Sequence, residues 1–237
     1  MKLLYIIDKL HQHAGMERIL SSKMNYLSRR PGWLVTLATY EQKGRPLPFP
    51  LDNEVHHHPL EAPIPTREGL AFLPWVMAYR RSRKVLSLRL RRLLEEQRPD
   101  VVVVTVYSFS VLDVIVREAR RAGARVVLES HTESSTVLMT YKYSYNRPLR
   151  LLMQCWDRYL LQSVRYLGMV VCLTEEDTRF WQPFLSDVRV IPNMVALTSH
   201  SAVDYTSRRV IAVGRYSHEK GYDLLMEAWA RVAPQCP

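Results

Sequence analysis

The sequence predicts an α/β chain built on a doubly wound, mostly parallel sheet, followed by the first strand-helix unit of a second domain of the same kind. Two observations carry that expectation. Short apolar runs alternate with segments of helical period along the whole chain, the order that lays helices on both faces of a parallel sheet. Near the middle stands Val101-Val102-Val103-Val104, β-branched throughout, as a strand buried on both faces requires.

Taken in order, Leu3 to Asp8 reads as the first strand. The first helix opens near Met16, carries Ile19, Leu20, Met24 and Leu27 on one stripe, and ends at Pro31-Gly32. Strands follow at Leu34 to Thr39 and Glu54 to His58, and the Pro-rich segment Pro46 to Pro65 is a surface connection. A helix from about Val76 to Gln97, with Leu86, Leu90, Leu93 and Leu94 as its inner stripe, is stopped by Pro99. Further strands are read at Val101 to Val106, Arg125 to Glu129, Met169 to Leu173 and Val188 to Ile191. Thr174 followed by Asp177 is a capping box that opens a helix directly after one of them.

The stretch Thr198 to Arg208 is polar and without period, and reads as a linker. Beyond it come an apolar run, Val210 to Val213, expected as a strand, and a helix with the stripe Leu224, Leu225, Ala228, Trp229 and Val232. The expected division is therefore a domain over 1–197, a linker over 198–208 and the start of an incomplete second domain over 209–237. That last piece is shorter than the ~40 residues that usually fold alone.

Composition narrows the function. Across 237 residues the hydrophobic share is 47% and the charged share 24%, as in a globular protein with a real core. A net charge of +10 favours an anionic partner: nucleic acid, a membrane surface or a phosphorylated small molecule. Cys155, Cys172 and Cys236 are scattered and lack CxxC spacing, which argues against a disulfide framework or a zinc site and fits a reducing compartment. The apolar start Leu3 to Ile7 is broken by Asp8-Lys9, too short for a signal peptide, and no apolar run is long enough to span a bilayer. The expected location is cytoplasmic, at most peripheral on a membrane.

The most informative run is Val213-Gly214-Arg215-Tyr216-Ser217-His218-Glu219-Lys220-Gly221. It places Arg215 and Lys220 on a loop that opens a helix, and two cations at a helix N-terminus suit a diphosphate. Gly15, between the first strand and the first helix, allows backbone amides to approach a phosphate, although a glycine there also serves a plain turn. No GxGxxG follows the first strand, so a dinucleotide cofactor is not expected. His131 closes the strand Arg125 to Glu129, on the edge where open α/β sheets bind ligands. His56-His57-His58 cannot converge on one ion as an extended strand, because neighbouring side chains point to opposite faces. Arg80, Arg81, Arg83, Lys84, Arg89, Arg91 and Arg92 make the helix 76–97 basic, either as a solvated face or as a patch for anionic lipid. The basic residues do not interleave with stacking aromatics, which argues against nucleic acid.

In order and spacing, four segments resemble a family 4 glycosyltransferase of the GT-B type, in which two Rossmann-like domains face a cleft. They are His13-Ala14-Gly15-Met16-Glu17-Arg18, Val126 to Thr132, Val170 to Glu175 with Val190-Ile191-Pro192-Asn193, and Val213 to Gly221. Ala14 stands where the family has its first loop glycine, and the family's downstream acidic pair has no counterpart within these 237 residues. The resemblance implies transfer of a sugar, with retention, from a nucleotide-sugar donor to a hydroxyl of a carbohydrate or lipid-linked acceptor, without a metal or other cofactor. It implies cell-surface polysaccharide or glycolipid synthesis as the setting. His131, Arg215 and Lys220 become the expected catalytic residues, and Gly15, Glu17, Thr174 and Gly214 the expected substrate-binding ones. The acceptor side is implied in the first domain and most of the donor pocket in sequence beyond Pro237, so this stretch alone is not expected to turn over. The alternative is a non-catalytic module that binds acceptor or membrane.

Overall fold

A computed structural model describes residues 1–66, 69, 71–105, 109–131, 138, 147–194, 206, 210–214, 216 and 218–235. They fall into two compact units, Met1–Met194 and Val195–Pro237.

The first unit is built on a seven-stranded, all-parallel sheet in the order β3-β2-β1-β4-β5-β6-β7. The strands are β1 (Lys2–Ile7), β2 (Leu34–Thr39), β3 (Val55–Pro59), β4 (Val101–Thr105), β5 (Arg125–Glu129), β6 (Met169–Cys172) and β7 (Val188–Val190). Each lies within a residue or so of its expected place, because its apolar run and its punctuation coincide. The order reverses between β1 and β4, so the carboxyl ends of those strands flank a crevice of the kind in which doubly wound sheets bind ligands. The chain has the Rossmann-like fold that the sequence predicts.

Helices cover both faces unequally. On one face α1 (Gly15–Ser28) sets Leu20 and Met24 against Leu3, Tyr5, Ile7, Leu37 and Val103. The other face carries α2 (Phe72–Gln97), α3 (Leu112–Arg121), α4 (Arg147–Leu161) and α5 (Glu175–Trp181) over the larger core, where Leu86, Leu90, Leu112, Ile115, Leu160 and Trp181 meet Leu4, Ile6, Val102, Val104 and Leu128. Helix α2 starts four residues before its expected N-terminus. Pro74 sits in its first turn, where the missing N–H would be without an intrahelical partner anyway. At the other end Arg98, at φ 47°, closes the helix through its N–H to the Leu94 carbonyl. Helices α3 and α4 escaped the reading of the sequence: α3 follows the apolar run of β4 with little punctuation, and α4 is preceded by 139–146, outside the described residues.

The expected strand Val210 to Val213 is a correction. These residues form no strand among the described residues, and Val210, Ile211 and Val213 are 66%, 82% and 93% exposed. A strand exists only through hydrogen bonds to a neighbour, and none pairs with this run among the described residues. The helix after it, α6 (Tyr222–Val232), does form, with Leu224, Leu225, Trp229 and Val232 exposed. Its hydrogen bonds are internal, so it needs no neighbour to close them.

Candidate functional site

At the carboxyl edge of the first unit, Glu129 ends β5 and His131 lies two residues beyond. Between them the Ser130 N–H donates to the Val171 carbonyl at 2.8 Å, which ties the turn to β6. The His131 side chain is only 4% exposed, and its Nε2 lies 3.2 Å from Glu129 Oε2. Lys23, on α1, donates through Nζ to the same oxygen at 2.9 Å. One nearly buried carboxylate thus orients an imidazole from its own strand end and an ammonium from the helix across the sheet edge.

Burial alone would raise the Glu129 pKa, but the hydrogen bond from His131 and the charge and hydrogen bond of Lys23 outweigh it and hold the group below the ordinary carboxylate value. The carboxylate therefore stays ionised at neutral pH. In the tautomer that donates Nε2–H to Glu129, His131 presents Nδ1 as an acceptor. Nδ1 is buried and has no hydrogen-bond partner among the described residues. These groups line a cavity of about 170 Å³ together with Ile19, Leu173, Ile191, Pro192 and Asn193. That is below the ~300–1,000 Å³ of pockets that enclose a whole ligand, so it suits one part of a ligand. The neighbouring end of β1 holds Asp8, whose carboxyl is pushed up to about 7 mainly by burial, with the Lys9 N–H pulling the other way.

The other expected residues fare differently. Gly15 is the first residue of α1, and a Cβ there would meet nothing within 4 Å; packing does not require the glycine. Glu17 lies in the first turn of α1 and is completely buried. Thr174 caps α5, accepting from the Asp177 N–H at 3.4 Å, the N-cap half of the expected capping box, which gives that hydroxyl a structural task.

In the second unit Arg215 lies outside the described residues, as does nearly all of the expected linker. Lys220 ends a short 3-10 turn, His218–Lys220, and is exposed. Gly221 follows at φ 61°, a left-handed conformation that favours glycine, and serves as N-cap of α6. A Cβ on Gly214 would come within 3.0 Å of the Tyr222 hydroxyl, and Tyr222 in turn stacks on Tyr216 with centroids 5.4 Å apart. Both glycines thus have local structural reasons to be glycine.

The basic helix resolves into two sets. Arg83 binds the Ser110 carbonyl and Asp113, Arg89 donates to the Leu60 and Glu61 carbonyls at 2.6 and 2.7 Å, and Arg91 pairs with Glu118 at 3.0 Å. Arg80, Arg81, Lys84 and Arg92 stay on the exposed face. In β3, His57 bonds Thr39 Oγ1 through Nε2 at 2.8 Å. Among the described residues no three His, Cys, Asp or Glu side chains gather as metal ligands, and no helix is long and apolar enough to cross a membrane.

Sequence reasoning missed Glu129 as a site residue, and Lys23 altogether. Glu129 was legible as an ionisable group directly after the apolar run Val126-Val127-Leu128. Lys23 had a weaker signal, one turn after Ile19 and beside the apolar stripe; only the packing of α1 reveals its partner.

Residues 14–194, more than half of the chain, match the family model for the glycosyl transferase 4-like domain. The chain belongs to the glycosyl transferase 4-like family. No curated protein matches its sequence. Among solved structures, sucrose-phosphate synthase from Thermosynechococcus elongatus is similar with a TM-score of 0.53 at 11% identity, over 81% of this chain and 48% of that one. A lipopolysaccharide outer core galactosyltransferase aligns with a TM-score of 0.49 at 13% identity, over 84% and 47%. UDP-N-acetylglucosamine 2-epimerase from Rickettsia bellii gives 0.47 at 11%, over 81% and 45%. The glycosyl transferase 4-like chain spans about half the length of these proteins.

Proposed function

We propose that this protein supplies the acceptor-side domain of a glycosyltransferase that moves a sugar from a nucleotide-diphosphate donor to an acceptor hydroxyl, with retention and without a metal. The observation that carries the reading is the buried Glu129–His131 pair at the carboxyl edge of the sheet, with Lys23 on the same carboxylate, in a chain of the glycosyl transferase 4-like family.

In this reading Glu129 holds the imidazole by its Nε2–H, and Nδ1 accepts a hydrogen bond from a hydroxyl of the donor sugar or acceptor. The carboxylate stabilises positive charge on the ring when a proton is handled there. Gly15, at the start of a 14-residue helix, offers amides to a phosphate, and Glu17 supports that turn from below. Arg215 and Lys220 offset the charge that grows on the departing diphosphate, with Gly214 and Thr174 beside the substrates. The domain division over 1–197, 198–208 and 209–237 belongs to the same reading. So does peripheral attachment to an anionic membrane: Leu73 and Met77 are 67% and 65% exposed at the start of α2, next to Arg80 and Arg81, and basic residues near apolar prongs suit such a surface. Cell-surface polysaccharide or glycolipid synthesis is the setting that fits an enzyme placed there.

The test is transfer from labelled nucleotide sugars by this chain joined to a complete donor-side domain. His131→Ala is expected to lower the rate about 100-fold or more while donor affinity stays within about threefold. Equal losses in rate and affinity would reduce His131 to a packing residue.

A further inference from the structure

A second cationic site stands apart from the sheet edge. Helix α3 and the 3-10 turn Gln162–Tyr166, which follows α4, flank a groove of about 490 Å³. Arg117, Arg120, Arg121, Tyr159, Gln162 and Tyr166 line it. It shares no residue with the cavity at His131.

The arginines are held in place before any ligand arrives. Glu118 has a side chain 0% exposed, yet Arg91 reaches it at 3.0 Å, Arg117 at 3.1 Å and Arg121 at 3.2 Å, and the Ser87 hydroxyl donates to it at 2.8 Å. Burial would raise its pKa, but these donors bring it down to about 2, so it stays charged. Arg120 instead lies over the Tyr166 ring, 4.5 Å from the centroid. Asp113 also borders the groove, and its charge is met by Arg83.

The balance of charge is the decisive point. Three guanidiniums, from Arg91, Arg117 and Arg121, share one carboxylate, and Arg120 joins Arg117 and Arg121 in lining the groove. The dipole of α3 explains a cation in its last turn, where Arg120 and Arg121 sit. It does not explain Arg117, one turn earlier, or Arg91 arriving from α2. Like charges brought together repel unless an anion completes them, and arginine forks match phosphate oxygens two at a time. Gln162 and two tyrosines, exposed by 52% and 57%, add polar and flat apolar walls.

We propose that the groove between α3 and the turn 162–166 is an anion site that takes a phosphate ester or diphosphate, either free or as a lipid headgroup. It is independent of the proposed transfer chemistry. The probes are inorganic pyrophosphate, titrated by calorimetry, and vesicles of phosphatidylcholine with or without phosphatidylglycerol. Lys220→Ala serves as the parent protein, so that binding at the proposed donor loop does not mask the result. Arg117→Gln combined with Arg120→Gln is expected to weaken pyrophosphate binding about tenfold or more. Arg120→Gln alone leaves the three arginines on Glu118 untouched, keeps the parent's melting curve, and decides the matter should the double variant fail to fold. Loss of pyrophosphate binding alone assigns a soluble phosphate ester; joint loss of binding to anionic vesicles assigns a headgroup. Unchanged binding of both probes in folded Arg120→Gln and in the double variant overturns the proposal, whatever becomes of transfer.

Discussion

Val101–Thr105 and Val210–Val213 are both short apolar runs rich in β-branched residues and become different structures. The first is β4, paired on both sides, with Val104 wholly buried. The second pairs with no strand among the described residues, with Val213 at 93% exposure. The same contrast runs through the candidate chemistry that each region delivers. The end of β5 holds His131 by a buried carboxylate that also pairs with a lysine from another element, while Lys220 sits on an exposed turn. A β-branched run is a capacity for a strand, and neighbours convert it into one.

The widest separation is expected from one substitution made in both places. Val104→Asp puts an unpaired charge among apolar side chains and should cost about 4 kcal/mol or more. Val213→Asp should stay within about 0.5 kcal/mol. Urea melts of the two variants measure this directly, and similar losses would mean that the second run is packed after all.

Next in size is the carboxylate under His131. Glu129→Gln should destabilise by about 2 kcal/mol at neutral pH, because Lys23 loses its counter-charge in a half-buried place. The sign with pH follows from the lowered Glu129 value. Its contribution is complete above the carboxylate's unfolded pKa and is lost as pH falls through the folded one. The stability difference between wild type and variant should therefore shrink on acidification; a constant difference would deny the ion pair.

A smaller effect of opposite sign is expected at the end of β1. The Asp8 carboxyl is raised to about 7 by burial, so the folded state prefers it neutral. Stability falls as pH rises from about 4 to about 7. Asp8→Asn should be more stable than wild type by about 1–2 kcal/mol at pH 8 and no different at pH 4, as read from thermal melts at the two values. Lys220→Ala, on the exposed turn, should leave stability within about 0.5 kcal/mol.

Much of the fold was legible because its signals are local. The apolar runs of β1, β2 and β5 are bounded by clear breaks, and the stripe Leu86, Leu90, Leu93 and Leu94 buried as its spacing required. His131 was legible from its place at a strand end. The histidine's partners were less so: Lys23 and Glu129 lie 106 residues apart in sequence, and no periodicity connects them. Likewise three of the arginines on α2 turned out to be ties to neighbouring elements rather than a solvated face.

By itself the sequence determined the alternation of elements, their approximate ends and the residue types available at the sheet's carboxyl edge, since period and punctuation act over a few neighbours. Only the tertiary structure decided which apolar run became a strand, which carboxylate would hold the imidazole, and where three arginines would share one carboxylate. Those outcomes depend on groups brought together from distant parts of the chain, and on burial that strengthens their charges only once they meet.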